Sequence, residues 1–384
     1  MTERRRFRGV AAIGIAAVVL AASAATYLRW RPSMHSTARP IPTLSPLPVS
    51  ADFYDLKAAP GGSAWVLLRT TRGEALIYGT SDGGRSWRQI ATPTESSNDK
   101  YGIQLIDESH GFVQRGHGLL ATADGGRTWR PVPLPPGYTF GLGARFLTVN
   151  KGWYQDIGVS PGQSAQPSSM WWTSNAGASW SLLWRVTADQ PAAGAIPLDD
   201  VKYVLGFDGS LGWLSIRSAP LQRLLQTQDG GHTWSETALP GSEPMLLYSV
   251  EPLAGDSAIL LARAGARWWA IRSRDGGRTW VDRVPIPISI PDTSGAYDRP
   301  TFIDQDHWMV AGGTVIHATS DGGRTWHDLH TKLPAGIFAL HDLWLSPGGK
   351  GWATASDAVR GGSLHVLATG DGGTTWSLSP VPHL

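Results

Sequence analysis

Cysteine is absent from this chain of 384 residues, which removes disulfides, thiol nucleophiles and lipidated cysteines from any account of it. That absence does not argue against export, because a large closed core needs no staples. Charge is scarce as well, at 17% of residues. Beyond the first segment the only glutamates are Glu74, Glu95, Glu108, Glu236, Glu243 and Glu251. No stretch after residue 35 carries a sustained helical period with caps. No phosphate-cradling glycine loop precedes a helix, and serine-nucleophile motifs are missing. What is abundant is glycine (46), proline (27) and tryptophan (19). Glycines and aromatics with little charge suit many short strands joined by tight turns, not a helical bundle or a disordered chain.

Residues 1–31 read as a targeting segment. Arg4, Arg5, Arg6 and Arg8 precede an uncharged apolar run from Gly9 to Leu28. The small residues Ala22-Ser23-Ala24 would suit cleavage of a secretory signal. The run of about 20 residues is equally long enough to span a bilayer as an uncleaved anchor through residues 9–28, with the arginines cytoplasmic. Both readings put the remainder outside the cytoplasm, membrane-anchored or secreted. The segment holds six of the 33 basic residues and one of the 31 acidic ones, leaving 27 against 30, a net of −3. The apparent basicity therefore belongs to the targeting segment, and no nucleic-acid footprint remains. Residues 32–50 are rich in Pro, Ser and Thr and read as a semi-rigid spacer.

The main signal is an internal repeat. One octapeptide occurs seven times, at 80–87, 122–129, 173–180, 227–234, 273–280, 319–326 and 369–376, spaced by 42, 51, 54, 46, 46 and 50 residues. Its third and eighth positions are Asp82 and Trp87, Asp124 and Trp129, Asn175 and Trp180, Asp229 and Trp234, Asp275 and Trp280, Asp321 and Trp326, and Asp371 and Trp376. Such a period fits one four-stranded propeller blade. Asp-Gly-Gly is a hairpin-turn signal, with glycines accepting positive φ and the carboxylate accepting from downstream N–H groups. Each tryptophan is expected to be buried between adjacent blades. In blade three, Asn175 and Ala176 replace Asp and Gly, which predicts a looser turn. A second signature, Gly-Trp or Gly-Phe (111–112, 152–153, 212–213, 351–352), opens an apolar strand upstream of the box. The fold expected is all-β: a seven-bladed β-propeller of four-stranded antiparallel blades, one box per blade, over 51–384.

The octapeptides resemble the Asp-box (BNR) repeat of sialidases, sortilins, xyloglucanases and the photosystem II assembly-factor family. One box per blade, the preceding Gly-Trp and the single small ring are most similar to the assembly factors and their non-photosynthetic bacterial relatives. The resemblance implies a protein-binding propeller without catalysis. Sialidase chemistry would need an arginine triad and a Tyr–Glu pair, and no Arg-Ile-Pro motif is present. Xyloglucanases place their cleft between two propellers.

Strand order predicts which face is free to bind. Boxes lie in third-to-fourth strand turns and share a face with the first-to-second strand turns. The longer segments 92–100, 156–168, 187–200 and 285–298 fall on the opposite face, where binding is expected. Their acids Asp199, Asp200, Asp292 and Asp298 are candidate binding residues, read either as solvated loop acids or as the paired carboxylates a glycoside hydrolase needs. Trp171-Trp172 and Trp268-Trp269 are candidates for exposed contact aromatics, or for packing between blades. Asp304, Asp306, His307, His317, His327, His330 and His341 give no compact ligand spacing, and the box turns lack calcium-loop carboxylates, so neither metal nor cofactor is expected. The expected partner is a protein, including a membrane protein, with carbohydrate as the alternative; an enzyme of this design would be a glycoside hydrolase.

Overall fold

The computed structural model describes residues 51–59, 62–70, 75–90, 101–115, 118–135, 140–158, 166–198, 201–218, 221–286, 300–346, 348–358 and 364–380. They form seven four-stranded antiparallel sheets, each in the order first-second-third-fourth strand. Blades one to seven span 51–90, 101–132, 140–186, 201–237, 246–286, 301–329 and 339–378. Blade six illustrates the unit: Thr301–Phe302, Trp308–Gly312, Val315–Thr319 and His327–Leu329. A two-stranded hairpin, Ala192–Ala193 with Ile196–Pro197, stands between blades three and four.

The ring follows from period-two burial. In the second strand of blade one, Ala64, Val66 and Leu68 pack against Trp352 and Val366 of blade seven. The alternate residues Trp65 and Leu67 pack against Ile103 and Val113 of blade two. Successive side chains of a strand point to opposite faces, so one strand serves two interfaces. Its burial is therefore continuous rather than alternating, as in the wholly buried Gly351–Ser356 of blade seven. Blade five repeats the device: Ala258, Leu260 and Ala262 face blade four, while Ile259 and Leu261 face blade six. Seven apolar clusters fill the seven blade-to-blade interfaces, including that between the last blade and the first.

Glutamine side chains reach the first strand of the next blade. Gln104 of blade two donates from Nε2 to the Ala144 carbonyl and accepts from the Phe146 N–H, imitating a peptide group beside blade three. Gln155 does the same between blades three and four, with the Lys202 carbonyl and the Val204 N–H. Gln222 accepts from the Leu247 N–H across the next interface at 2.6 Å. These bonds satisfy inner-strand backbone groups that have no neighbouring strand.

Candidate functional site

Each octapeptide forms the turn between the third and fourth strands of its blade, and its bonds recur around the ring. In blade six, Thr319 Oγ1 accepts from the Gly323 N–H and donates to Asp321 Oδ1. The Thr325 N–H donates to Asp321 Oδ1, and the Thr325 hydroxyl donates to Oδ2 at 2.6 Å. Asp82, Asp124, Asp229 and Asp275 are held in the same way. Asp371 accepts from the Thr375 N–H and from the Thr369 hydroxyl. Blade three does not have the looser turn its sequence suggested. Asn175 accepts from the Ser179 N–H as an aspartate would, and its Nδ2 donates to Ser179 Oγ, reversing one bond. Ala176 takes the glycine's left-handed conformation at φ 57°.

These bonds lower the carboxylate pKa of Asp82, Asp124, Asp229, Asp275 and Asp321. Ser86, through its hydroxyl and its N–H, holds Asp82 at about 2. Thr128 and Thr233 lower Asp124 and Asp229 in the same manner. For Asp321, burial acts to raise the value, but the hydrogen bonds led by Thr325 outweigh it and bring it to about 2. Hydrogen bonds to the ionised form have this sign.

The boxes are also docked. In every blade the residue after the Asp or Asn (Gly83, Gly125, Ala176, Gly230, Gly276, Gly322, Gly372) donates its N–H to a carbonyl of the same blade's first-to-second strand turn, at 2.5 to 3.0 Å. Both turns therefore share one face. Of the box tryptophans, Trp87, Trp234, Trp280 and Trp376 are buried, whereas Trp129, Trp180 and Trp326 are half-buried. The fuller burial belongs to the second-strand aromatics, including Trp213 and Trp308 at 0% exposure. Trp213 donates from Nε1 to the Gly277 carbonyl of the neighbouring box at 3.0 Å, and its ring meets Trp280 edge-on. The box carboxylates and indoles are thus engaged within their turns and interfaces.

The opposite face is only partly described. Asp199, Asp200, Asp292 and Asp298 lie outside the described residues, as do 91–100, 159–165 and 287–299. The described connections there include 187–198, anchored by the buried Lys202. Its Nζ donates to the carbonyls of Leu198 (2.9 Å) and Gln166 (3.2 Å), and the Gln166 N–H donates to the Leu198 carbonyl. No sequence pattern marks this lysine's burial, because its partners are backbone carbonyls, one four and one 36 residues away.

Trp171 and Trp268 are buried between blades. Trp172 and Trp269 are half-buried, and the Arg283 guanidinium stacks 3.7 Å above Trp269. The histidines are dispersed: His307 binds Asp304, and His317 binds Asp328. Among the described residues no group of three or more His, Asp or Glu is arranged to hold a metal. No helix among them is long and apolar enough to cross a membrane. A cavity of about 600 Å³ opens between blade six and the 330–337 connection that follows it.

Seven four-stranded antiparallel sheets in a ring, with no helix among the described residues, define the seven-bladed β-propeller. Among solved structures the chain is similar to YCF48 from Cyanidioschyzon merolae, with TM-score 0.52 and 21% identity over 84% of this chain and 96% of that one. It is similar to YCF48 bound to D1 peptide, with TM-score 0.54 and 17% identity over 86% and 98% of the two chains. A PL25 ulvan lyase, a polysaccharide lyase, follows with TM-score 0.50 and 12% identity over 87% and 94%. At these identities the likeness is one of fold. No protein-family model and no curated protein matches the sequence.

Proposed function

We propose that this chain is an extracytoplasmic propeller that binds a protein partner, without catalysis, on the face opposite its boxes. The observation that carries the reading is the fold it shares with YCF48, a photosystem II assembly factor determined in complex with a D1 peptide. The engagement of the box carboxylates within their own turns adds to it, since it directs attention to the other face. The arginine-led apolar run of 1–31 supports placement outside the cytoplasm, tethered or secreted, with 32–50 as spacer and 51–384 as the binding domain. A membrane protein is the partner this location favours.

The test is capture of partners by the full-length chain, solubilised from its own envelope, against a variant charged on its 192–197 hairpin (Ala193→Asp with Ala195→Asp). Loss of one defined envelope protein from the variant supports the reading. The likeness to a polysaccharide lyase favours a second reading, binding of an acidic polysaccharide. Retention on such a matrix, with no protein captured, would replace the first reading by the second.

A further inference from the structure

The cavity between blade six and the connection that follows it is bordered by hydrogen-bonded backbone. Its outer wall is the connection from blade six to blade seven, which is fastened at several points. The Lys332 N–H donates to the Thr374 carbonyl and the Lys332 carbonyl accepts from the Trp376 N–H, so this connection runs as a short parallel pair with blade seven. The Thr331 hydroxyl donates to the Thr314 carbonyl at 2.9 Å, and the Phe338 N–H donates to the Ser356 carbonyl at 2.8 Å. Leu340 closes it with a bond to the Gly313 carbonyl. A site already fixed in its bound shape loses little entropy on binding.

The lining has a definite chemistry. Val315, Leu329, Leu333 and Ile337 make an apolar floor, and Leu329, Leu333 and Ile337 belong to the blade six–seven core. The one fixed charge among the lining residues is the Asp328 carboxylate, whose side chain is 60% exposed. His317 Nδ1 sits 2.6 Å from its Oδ1 and fixes its orientation. Next to the cavity stands Phe338, 57% exposed, on the fastened stretch of backbone. A ring left in water on rigid backbone beside a cavity has the form of an interface anchor, where a few aromatic contacts carry most of the binding energy. The Gly313 and Thr314 turn joins second to third strand, so the Thr314 end of the groove lies on the face opposite the boxes, while Lys332 in its wall reaches Thr374 and Trp376 of the blade-seven box.

We infer that this groove takes an extended peptide segment of a protein partner bearing one lysine or arginine. Its alkyl stem lies on Leu329, Leu333 and Ile337, its cationic head meets Asp328, and an apolar neighbour covers Phe338. Long basic side chains bury their stems on apolar surface while keeping the charge at a polar group, and an exposed carboxylate oriented by His317 above an apolar floor complements that shape. The inference rests on the protein-binding reading and assigns it a site.

The test uses the full-length chain and a fluorescein-labelled peptide, Gly-Ser-Leu-Lys-Leu-Gly-Ser with blocked ends, against its counterpart with Glu for Lys. The lysine peptide is expected to bind at least about tenfold more tightly, and Asp328→Asn and Phe338→Ala each to weaken it by about tenfold. Raised salt weakens it further. Both substitutions are at exposed side chains, and an unchanged thermal midpoint shows that they fold. Equal affinity for the two peptides, no saturable binding, or indifference to either substitution overturns the inference. If the peptides fail while the hairpin variant still loses a captured envelope protein, the groove assignment falls alone. If that capture fails as well, the binding reading falls with it.

Discussion

Each box aspartate is a turn-closing group, and blade three supplies a built-in comparison. Asn175 keeps the N–H acceptor and exchanges one hydroxyl bond for its reverse, so the turn requires an oxygen at that position more than a charge. Asp321→Ala is expected to lower stability by about 1–2 kcal/mol in urea unfolding, and Asp321→Asn by roughly half as much. The sign of the pH dependence follows from the lowered pKa values. An unfolded aspartate titrates near 3.9, whereas Asp82 and Asp321 are held at about 2. Their contribution is complete above the unfolded value and is lost as pH falls from about 4 towards 2. The urea midpoint should therefore drop across that window, and a midpoint unchanged between pH 4 and pH 2 would refute the role given to the carboxylates. The two box glycines differ in kind. Gly230 has φ +75° and open space around a would-be Cβ, whereas Gly323 has φ +82° and a Cβ there would meet Trp308 at 2.6 Å. Gly323→Ala should cost about 2–3 kcal/mol and Gly230→Ala about 1 kcal/mol, measured in the same unfolding series.

At the scale of the strand, the second strand of each blade carries most of the packing because both of its faces are covered. Trp213 combines full burial, an edge-on contact with Trp280 and a hydrogen bond across the interface. Its truncation to alanine should cost about 3–5 kcal/mol, more than truncation of the half-buried Trp129. This scale also separates what was legible in the sequence from what was not. The box turn is local chemistry, closed within five residues, so its seven copies, six of them Asp-Gly-Gly, announced seven blades and their boundaries. Gln104, Gln155 and Gln222 find their partners 25 to 49 residues away in the next blade, and no local pattern marks them. Lys202 likewise reads as an ordinary strand lysine, because its partners are backbone carbonyls of Leu198 and of the distant Gln166. The candidate face was reachable from strand order alone. Its candidate acids are not among the described residues, and the groove beside Phe338 was hidden in a connection with no unusual composition.

For the whole molecule the decisive contact joins its two ends. In blades four, six and seven the box indole donates to the carbonyl of its own second glycine. In blade one that bond is opened, and Ser379 from blade seven is inserted. Trp87 Nε1 donates to Ser379 Oγ at 2.8 Å, and Ser379 Oγ donates to the Gly84 carbonyl at 2.7 Å. Trp352 meets Trp87 edge-on at 5.7 Å in the same interface. The ring is thus latched by side chains, with all four strands of each terminal blade drawn from one stretch of chain. Ser379→Ala should lower stability by about 1–3 kcal/mol, since it strands two buried polar groups at once, and calorimetry would show this as a lower midpoint.

The latched ring presents one face of docked, self-satisfied turns, and the proposed function puts partner binding on the other. The most direct measurement is a crosslinking map of the full-length chain with the protein it captures from its own envelope, read by mass spectrometry. Crosslinks concentrated on 187–198 and 330–338 are the predicted result. Crosslinks confined to the box turns at 80–87, 122–129 and their five counterparts would contradict it.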